Sequence, residues 1–325
     1  MKKILITGGC GFIGSNFIRL FLEHNSECEI VNLDKLTYCG NPKNLEDLKD
    51  NPRYEFVEGD ICDKKLVFDV ASRVSSVINF AAETHVDRSI EDSQEFLNTN
   101  VGGVKTLLDA VNHFQLERFV HVSTDEVYGS LEKGSFSEDS LLNPSSPYSS
   151  SKAAGDLLAR SYFTTYKTPV IITRSSNNFG PYQYPEKIVS LFVTNLIEGE
   201  KLPLYSKGEN IREWLYVEDN CRAIKLVFEK GDIGEIYNIG SDTELTNLEL
   251  TKKILKKFEK NEEHINYVQD RPGHDFRYSL DSLRVKKLGY KPIYNFEDAL
   301  DKTVQWYIDH KDWWQPLKNN KYTRK

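Results

Sequence analysis

TGGCGFIG, residues Thr7 to Gly14, follows the apolar run KILIT and opens the amphipathic stretch FIGSNFIRLFLEH. Its glycines satisfy both GxxGxxG (Gly8, Gly11, Gly14) and GxGxxG (Gly9, Gly11, Gly14). A chain that turns sharply from a strand into a helix needs glycine there. The turn brings the helix's free N–H groups and positive dipole end to where a pyrophosphate binds. Glycine spacing alone is weak, but here a strand precedes it, a helix follows it, and Asp34 closes the next run, EIVNLD. An acidic residue about 20 positions past the glycines can take the adenosine ribose hydroxyls and repels a 2′-phosphate, so the cofactor expected is NAD. Lys35 beside it argues mildly the other way. A bare turn with a surface aspartate is the bland alternative, and the joint context outweighs it.

Outward from this loop, short β-rich runs alternate with helical patterns. KILIT, EIVNL, YEFVEG, SVINFAA, RFVHVS and PVIITRSS read as strands; KLVFDVASR, Phe96 to Phe114 and Ser149 to Tyr166 read as helices. Alternation of this kind gives βαβ units and a doubly wound parallel sheet, an α/β NAD-binding Rossmann fold. After residue 176 the texture changes to longer loops with Pro181, Pro185, Pro203 and Gly208. A smaller mixed α/β substrate domain is therefore expected over 177–325. LYV, VEDNCRAIKLVFEK and EIYNIG, within about 211–239, are expected to return to the first domain.

The 325 residues are 39% apolar, enough to bury a core, and no window approaches the ~18 apolar residues of a membrane span. MKKILITGG passes into glycines without a signal-peptide apolar region, so a soluble cytoplasmic protein is expected. Cys10, Cys28, Cys39, Cys62 and Cys221 lack CxxC spacing, which suggests free thiols and no metal site. A net charge of −7 without a basic cluster speaks against nucleic acid as a partner.

The chemistry concentrates after RFVHVS. Tyr148-Ser-Ser-Ser-Lys152 puts a phenol and an ammonium on one helix face. The ammonium is expected to lower the tyrosine pKa so that it takes a proton from a hydroxyl near neutral pH. Just before it, STDEVYG holds Asp125 and Glu126 side by side. Inside a strand they would face opposite sides of the sheet; past its end both can turn into one cleft. Two carboxylates sharing a pocket separate in pKa, one then giving a proton and the other taking one. Alcohol oxidation needs only Tyr148 and Lys152. The extra acid and base imply a further proton-coupled step, such as loss of water next to a new ketone. A solvated acidic turn is the ordinary reading of such a pair, and the position between two catalytic elements weighs against it.

With TGGxGFIG, Asp34, Ser123, Tyr148 and Lys152 in order, the chain resembles the extended short-chain dehydrogenase/reductase family. NLDKLTYCGN, AAETHVDRSI, STDEVYG, SPYSSSK, SNNFGPYQYPEK, LPLYSKGENIREWLYVED and DRPGHDFRY make it similar, over nearly its whole length, to the dTDP-glucose 4,6-dehydratases within that family. The resemblance implies an NAD site with Gly8, Gly11, Phe12, Ile13, Gly14, Asp34, Lys35, Leu36, Thr37, Asp60, Ile61, Ala81, Ala82, Glu83, Thr99, Tyr148, Lys152 and Asn178. It implies that Thr84, Thr124, Asn177, Lys187, Ile188, Pro203, Tyr205, Arg212, Asn247, Asp270, Arg271 and His274 hold the nucleotide-diphosphate hexose. It further implies tightly bound NAD⁺ regenerated each turnover, a homodimer through a four-helix bundle of Thr99 to Phe114 and Ser149 to Tyr166, and a place in deoxysugar synthesis. Departures from the family pattern are Thr84, Phe179, Cys39, Glu213 and Phe276, none of them a catalytic group.

Within this resemblance Tyr148, with Lys152 and Thr124, oxidises C4 of glucose; Glu126 takes the C5 proton and Asp125 protonates the leaving C6 hydroxyl. A UDP-linked 4,6-dehydratase, a nucleotide-sugar 4-epimerase and a silent NAD-binding regulator share parts of this pattern. The epimerase needs no acid–base pair at C5 and C6, and the intact Ser-Tyr-Lys set speaks against the regulator. His85 is more simply structural, and Trp306, Trp313 and Trp314 are expected to pack the second domain.

Overall fold

The computed structural model describes residues 2–270 and 272–319. Its strands are β1 (Lys2–Thr7), β2 (Cys28–Asp34), β3 (Tyr54–Glu58), β4 (Ser76–Asn79), β5 (Arg118–Thr124), β6 (Val170–Ser175), β7 (Asn177–Phe179), β8 (Leu202–Tyr205), β9 (Ile211–Tyr216), β10 (Ile236–Ile239), β11 (Glu244–Thr246) and β12 (Ile265–Val268). Seven of them form one sheet in the order β10-β6-β5-β4-β1-β2-β3, with every pairing parallel. The order reverses between β1 and β4, and such a switch point opens a crevice at the strands' carboxyl ends. This is the Rossmann architecture expected from the alternating pattern.

Both faces of the sheet are covered, as a parallel sheet requires. Alternation along each strand divides the core. Ile4 and Ile6 of β1, Ile78 of β4 and Val120 of β5 join Phe17, Phe21 and Ile224 on one side; Leu5, Val77 and Phe119 join Val67, Leu107 and Leu108 on the other. The first side continues without a break to Leu250, Leu300, Tyr307 and Trp314, so one core carries both the sheet and the C-terminal helices.

The C-terminal part holds a mixed sheet, β11-β9-β7, with β7 parallel and β11 antiparallel to β9, and a parallel pair, β12-β8. The helix Val217–Lys230 packs on Phe12–His24 and delivers β10 to the main sheet beside β6. β9, which contains Leu215 and Tyr216 of LYV, stays in the small sheet, because β10 fills that edge. Trp314 is buried among these elements, whereas the Trp313 indole donates to Asn44 (2.8 Å) in the first half of the chain. No helix among the described residues is long and apolar enough to cross a membrane.

Candidate active site

At the glycine loop, Gly8 has φ +70°, and a Cβ there would lie 2.5 Å from the Ala81 nitrogen. A Cβ on Gly14 would lie 2.4 Å from the Gly8 carbonyl oxygen, so the helix can start close to the strand only with glycine. The helix Phe12–His24 has no acidic residue in its first turn, which leaves its N-terminus positive. Asp34, 7% exposed, accepts from the Cys10 amide through Oδ2 and from the Leu36 amide through Oδ1, both at 2.8 Å. Burial pushes its carboxyl up, and these two N–H donors oppose that. Lys35 pairs with Asp60 at 2.8 Å, so the cation beside Asp34 is neutralised by the protein itself. The counter-argument Lys35 made against NAD is thereby weakened.

These groups line a cavity of about 340 Å³ over the carboxyl ends of the strands. Of the residues expected at the cofactor, Gly8, Gly11, Phe12, Ile13, Gly14, Asp34, Lys35, Thr37, Asp60, Ile61, Ala81, Ala82, Glu83, Thr99, Tyr148, Lys152 and Asn178 border it. Leu36 does not; it turns away at φ +55° and contributes its amide to Asp34. Thr99 sits in a π-helical stretch, Asn98–Gly103, whose Asn100 side chain both accepts from the Glu83 amide and donates to the Glu83 carbonyl at 3.0 Å. One extra residue in the turn thus aims the helix wall at the cavity.

A second cavity of about 280 Å³ adjoins the first, and Glu126, Asn177, Glu186, Lys187, Ile188 and Trp214 border both. Pro203, Tyr205, Arg212, Asn247 and His274 line the second, while Thr84 and Thr124 line the first. Arg212 donates to the carbonyls of Ile211, Phe276 and Asp275 and stacks on Tyr278, so backbone dipoles hold its charge. Lys187 donates to the Thr84 carbonyl. Asp270 stands behind His274, whose Nδ1 lies 2.6 Å from its Oδ1. Arg271 lies outside the described residues.

The acid pair sits where β5 ends. Thr124 caps a single turn of 3₁₀ helix, Asp125–Tyr128, by accepting from the Glu126 amide, and Gly129 closes the turn at φ +80°. The tight turn brings both carboxylates to the first cavity. Asp125 is 2% exposed; Thr124 donates to its Oδ1, and its Oδ2 has no partner among the described residues. Burial first, and then the Glu126 charge, push the Asp125 carboxyl well above the usual carboxylate range.

Ser146 and Ser149 form a capping box with Pro147 in the first turn, so the catalytic helix runs over Pro147–Tyr166 and begins before Ser149, where the sequence pattern places it. Tyr148 and Lys152 fall on its first two turns, both buried, and Lys152 donates to the Val122 carbonyl at 2.8 Å. The expected lowering of the Tyr148 pKa is not what this environment produces. Burial and the charges of Glu126 and Asp125 push the phenol well up, opposed by a hydrogen bond with Thr124. Burial pushes Lys152 down to about 8 against the pull of Asp156.

Sequence reasoning missed Glu186, Trp214, Gln183 and the cavity-lining position of His85. Glu186 accepts from the Tyr38 hydroxyl at 2.9 Å and lies 3.4 Å from His85 Nε2, tying three distant segments together. Its place beside Lys187 in YPEK was the one signal available.

The comparisons bear on this geometry directly. A family model described as GDP-mannose 4,6 dehydratase matches residues 5–303. The chain belongs to that dehydratase family. It is 50% identical over 322 residues to a dTDP-glucose 4,6-dehydratase of Streptomyces niveus, covering 98% of this chain and 96% of the relative. It is 51% identical over 305 residues to the low-salt glycan biosynthesis protein Agl12 of Haloferax volcanii, covering 94% and 98%. Among solved structures, DesIV, the dTDP-glucose 4,6-dehydratase from Streptomyces venezuelae with NAD and TYD bound, superposes with a TM-score of 0.95 at 49% identity, covering 97% and 99% of the two chains. The dehydratase family indicated by the sequence motifs is thus the one the whole chain matches.

Proposed function

We propose that this chain is an NAD-dependent dTDP-glucose 4,6-dehydratase, a hydro-lyase that converts dTDP-glucose to dTDP-4-keto-6-deoxyglucose and water for deoxysugar synthesis. The observation that carries it is Asp125, a buried carboxyl beside Glu126, pushed well above the usual carboxylate range by burial and the Glu126 charge, in the cavity that also holds Tyr148 and Lys152. An epimerase has no use for that acid.

NAD fits the first cavity: Gly8 and Gly14 let the turn close against the Ala81 and Gly8 backbone, which sets the helix N-terminus at the cavity, Asp34 offers carboxylate lone pairs to a ribose, and the buried oxygen of Asn178 has no partner among the described residues. Bound there, NAD⁺ supplies the hydride acceptor for C4, the hydride returned to C6, and a positive charge that offsets the carboxylates. The remaining work falls to side chains. Tyr148, hydrogen-bonded to Thr124 and backed by Lys152, takes the 4-hydroxyl proton, and the ketone that forms acidifies C5–H. Glu126 removes the C5 proton, and Asp125 gives its proton to the departing C6 hydroxyl. Lys187 and Arg212 neutralise the diphosphate. Asn177 and Asn247, each with a buried amide oxygen that has no partner among the described residues, read hydroxyls and base with Thr84, Tyr205 and His274.

The reading extends to a homodimer. Leu97, Leu157 and Tyr166 are 47%, 56% and 57% exposed on the helical layer around Pro147–Tyr166, an apolar face suited to a four-helix bundle. The five unpaired cysteines suit a reducing cytoplasm. The test is incubation with dTDP-, UDP-, CDP- and GDP-glucose in deuterated water. A 4-ketosugar from dTDP-glucose with deuterium at C5 is expected; hydrogen retained at C5, or no ketosugar from any donor, refutes the reading.

A further inference from the structure

Tyr148, Lys152 and Asp156 recur every fourth residue on the helix Pro147–Tyr166 and share one face. The first two serve the site; Asp156 does not reach it, yet it is fully buried. A buried carboxylate is costly unless paired, and Arg174 of β6, itself 1% exposed, donates from Nε to Asp156 Oδ2 at 2.8 Å. The same guanidinium donates from Nη1 to the Tyr128 hydroxyl at 2.8 Å, at the end of the acid turn.

The other oxygen, Oδ1, makes no hydrogen bond among the described residues; His121 Nε2 of β5 lies 3.5 Å away. Asn79 accepts the Thr7 hydroxyl through its carbonyl, which leaves its amide to donate to His121 Nδ1 at 3.1 Å. The imidazole proton therefore sits on Nε2, facing Asp156. Burial, then the cations Lys152 and Arg174, push His121 far down, so the ring is neutral. Lys152, 4% exposed, donates to a backbone carbonyl and makes no ion pair among the described residues.

We propose that Asp156 is a positioning residue: clamped by Arg174, its carboxylate holds the Lys152 ammonium in the charged form and so sets the upper pH limit of the first oxidation. Around the pair stand His121 from β5, Arg174 from β6, Asp125, Glu126 and Tyr128 from the acid turn, and Tyr148 from the same helix. The helices packed on its other sides carry Asp87, Arg88, Glu91, Glu95, Lys105 and Asp109. Asp156 is the charge that acts on Lys152 against burial. Arg174 opposes that action, but two of its donors are spent on Asp156 and Tyr128. The inference rests on the dehydratase reading for its assay.

Asp156→Asn keeps the shape and removes the charge. In the holoenzyme, single-turnover reduction of the bound cofactor by dTDP-glucose, followed at 340 nm from pH 6 to 9.5, should lose its alkaline half about one pH unit earlier than wild type. The rate at pH 6 and the later decay of the 340 nm signal should stay near wild type. A readout independent of turnover is the Lys152 ammonium itself, followed as its side-chain signal in ¹³C-lysine-labelled protein and assigned by its loss in Lys152→Met, which should lose its proton at lower pH in the Asp156→Asn background; the Tyr148 phenolate is no such readout, because Asp156 also raises that phenol directly. An unmoved alkaline limit in a folded, NAD-loaded variant overturns the proposal, as does a loss equal at all pH values and in both steps. If Asp156→Asn does not fold, Asp156→Asn with Arg174→Met removes both buried charges; because Arg174 acts against Asp156, its alkaline limit should come earlier than wild type by less than the one unit, and a limit at or above the wild-type value overturns the proposal, as does failure of both to fold, which makes the pair structural. If the wild type shows no 340 nm change with dTDP-glucose, the dehydratase reading fails and the Lys152 titration alone decides this one.

Discussion

Replacing Asp125 by Asn separates chemistry from stability in opposite directions. Asparagine occupies nearly the same space, and its oxygen can still accept from Thr124 as Oδ1 does at 3.1 Å. What it cannot do is donate a proton as an acid, and loss of one general acid costs about 10²–10⁴ in rate. Turnover of dTDP-glucose should fall by that factor, while the first oxidation, which uses Tyr148 and Lys152, still yields a 340 nm signal that now persists. Stability moves the other way. Burial, then Glu126, raise the folded-state pKa of Asp125, so above about pH 4 the folded chain binds a proton that the unfolded chain has lost. Wild-type stability at this site is therefore full below pH 4 and declines as pH rises toward the folded value. The Asp125→Asn variant has no such decline. Thermal melts of both proteins should coincide near pH 4, with the variant at least as stable at pH 7. A variant that melts below wild type at pH 7, or one that turns over at the wild-type rate, refutes the assignment of Asp125 as a buried, protonated acid.

Glu126→Gln should allow cofactor reduction and stop elimination, so the 340 nm signal rises with no 4-keto-6-deoxy product; product at the wild-type rate removes Glu126 from the role of base. Asp34→Ala leaves the Cys10 and Leu36 amides without their acceptor, a loss of about 3 kcal/mol. The protein should purify with little NAD, as the 260/280 nm ratio of the purified protein shows. Gly14→Ala places a methyl group 2.4 Å from the Gly8 oxygen, a backbone atom that cannot move aside. NAD binding and several degrees of melting temperature should be lost together, and normal NAD content in that variant contradicts the close-approach argument.

Most of the main sheet was legible because its signals are local. KILIT, EIVNL and PVIITRSS are apolar runs of strand length, and two-sided burial makes such runs nearly continuous. The acid turn was legible for the same reason: Thr124, Asp125, Glu126 and Gly129 lie within one short stretch, and a strand end is a local event. The start of the catalytic helix was misplaced because Ser146 and Pro147 read as loop residues until their capping role is seen. β9 was misassigned because its run is strand-like in any sheet, and only the edge occupied by β10 decides where it goes.

What the sequence could not show is what happens to charges once neighbours distant in the chain close around them. The YxxxK spacing suggests a phenol made acidic by its lysine, which holds for two groups in water. In the fold, Tyr148 loses its water and meets Glu126 and Asp125, and these together push the phenol up. The same burial that raises the phenol raises the Asp125 carboxyl, so one desolvated pocket makes the oxidation harder to start and favours the acid that the elimination needs. The site must then offset this at Tyr148 with positive charge, from Lys152 and from the bound cofactor. The charge on Lys152 in turn depends on Asp156, eight residues past Tyr148 and held by Arg174 from another strand. That dependence joins the two halves of the chemistry: the elimination acid can stay protonated only in a pocket where the oxidising pair needs a buried counter-charge.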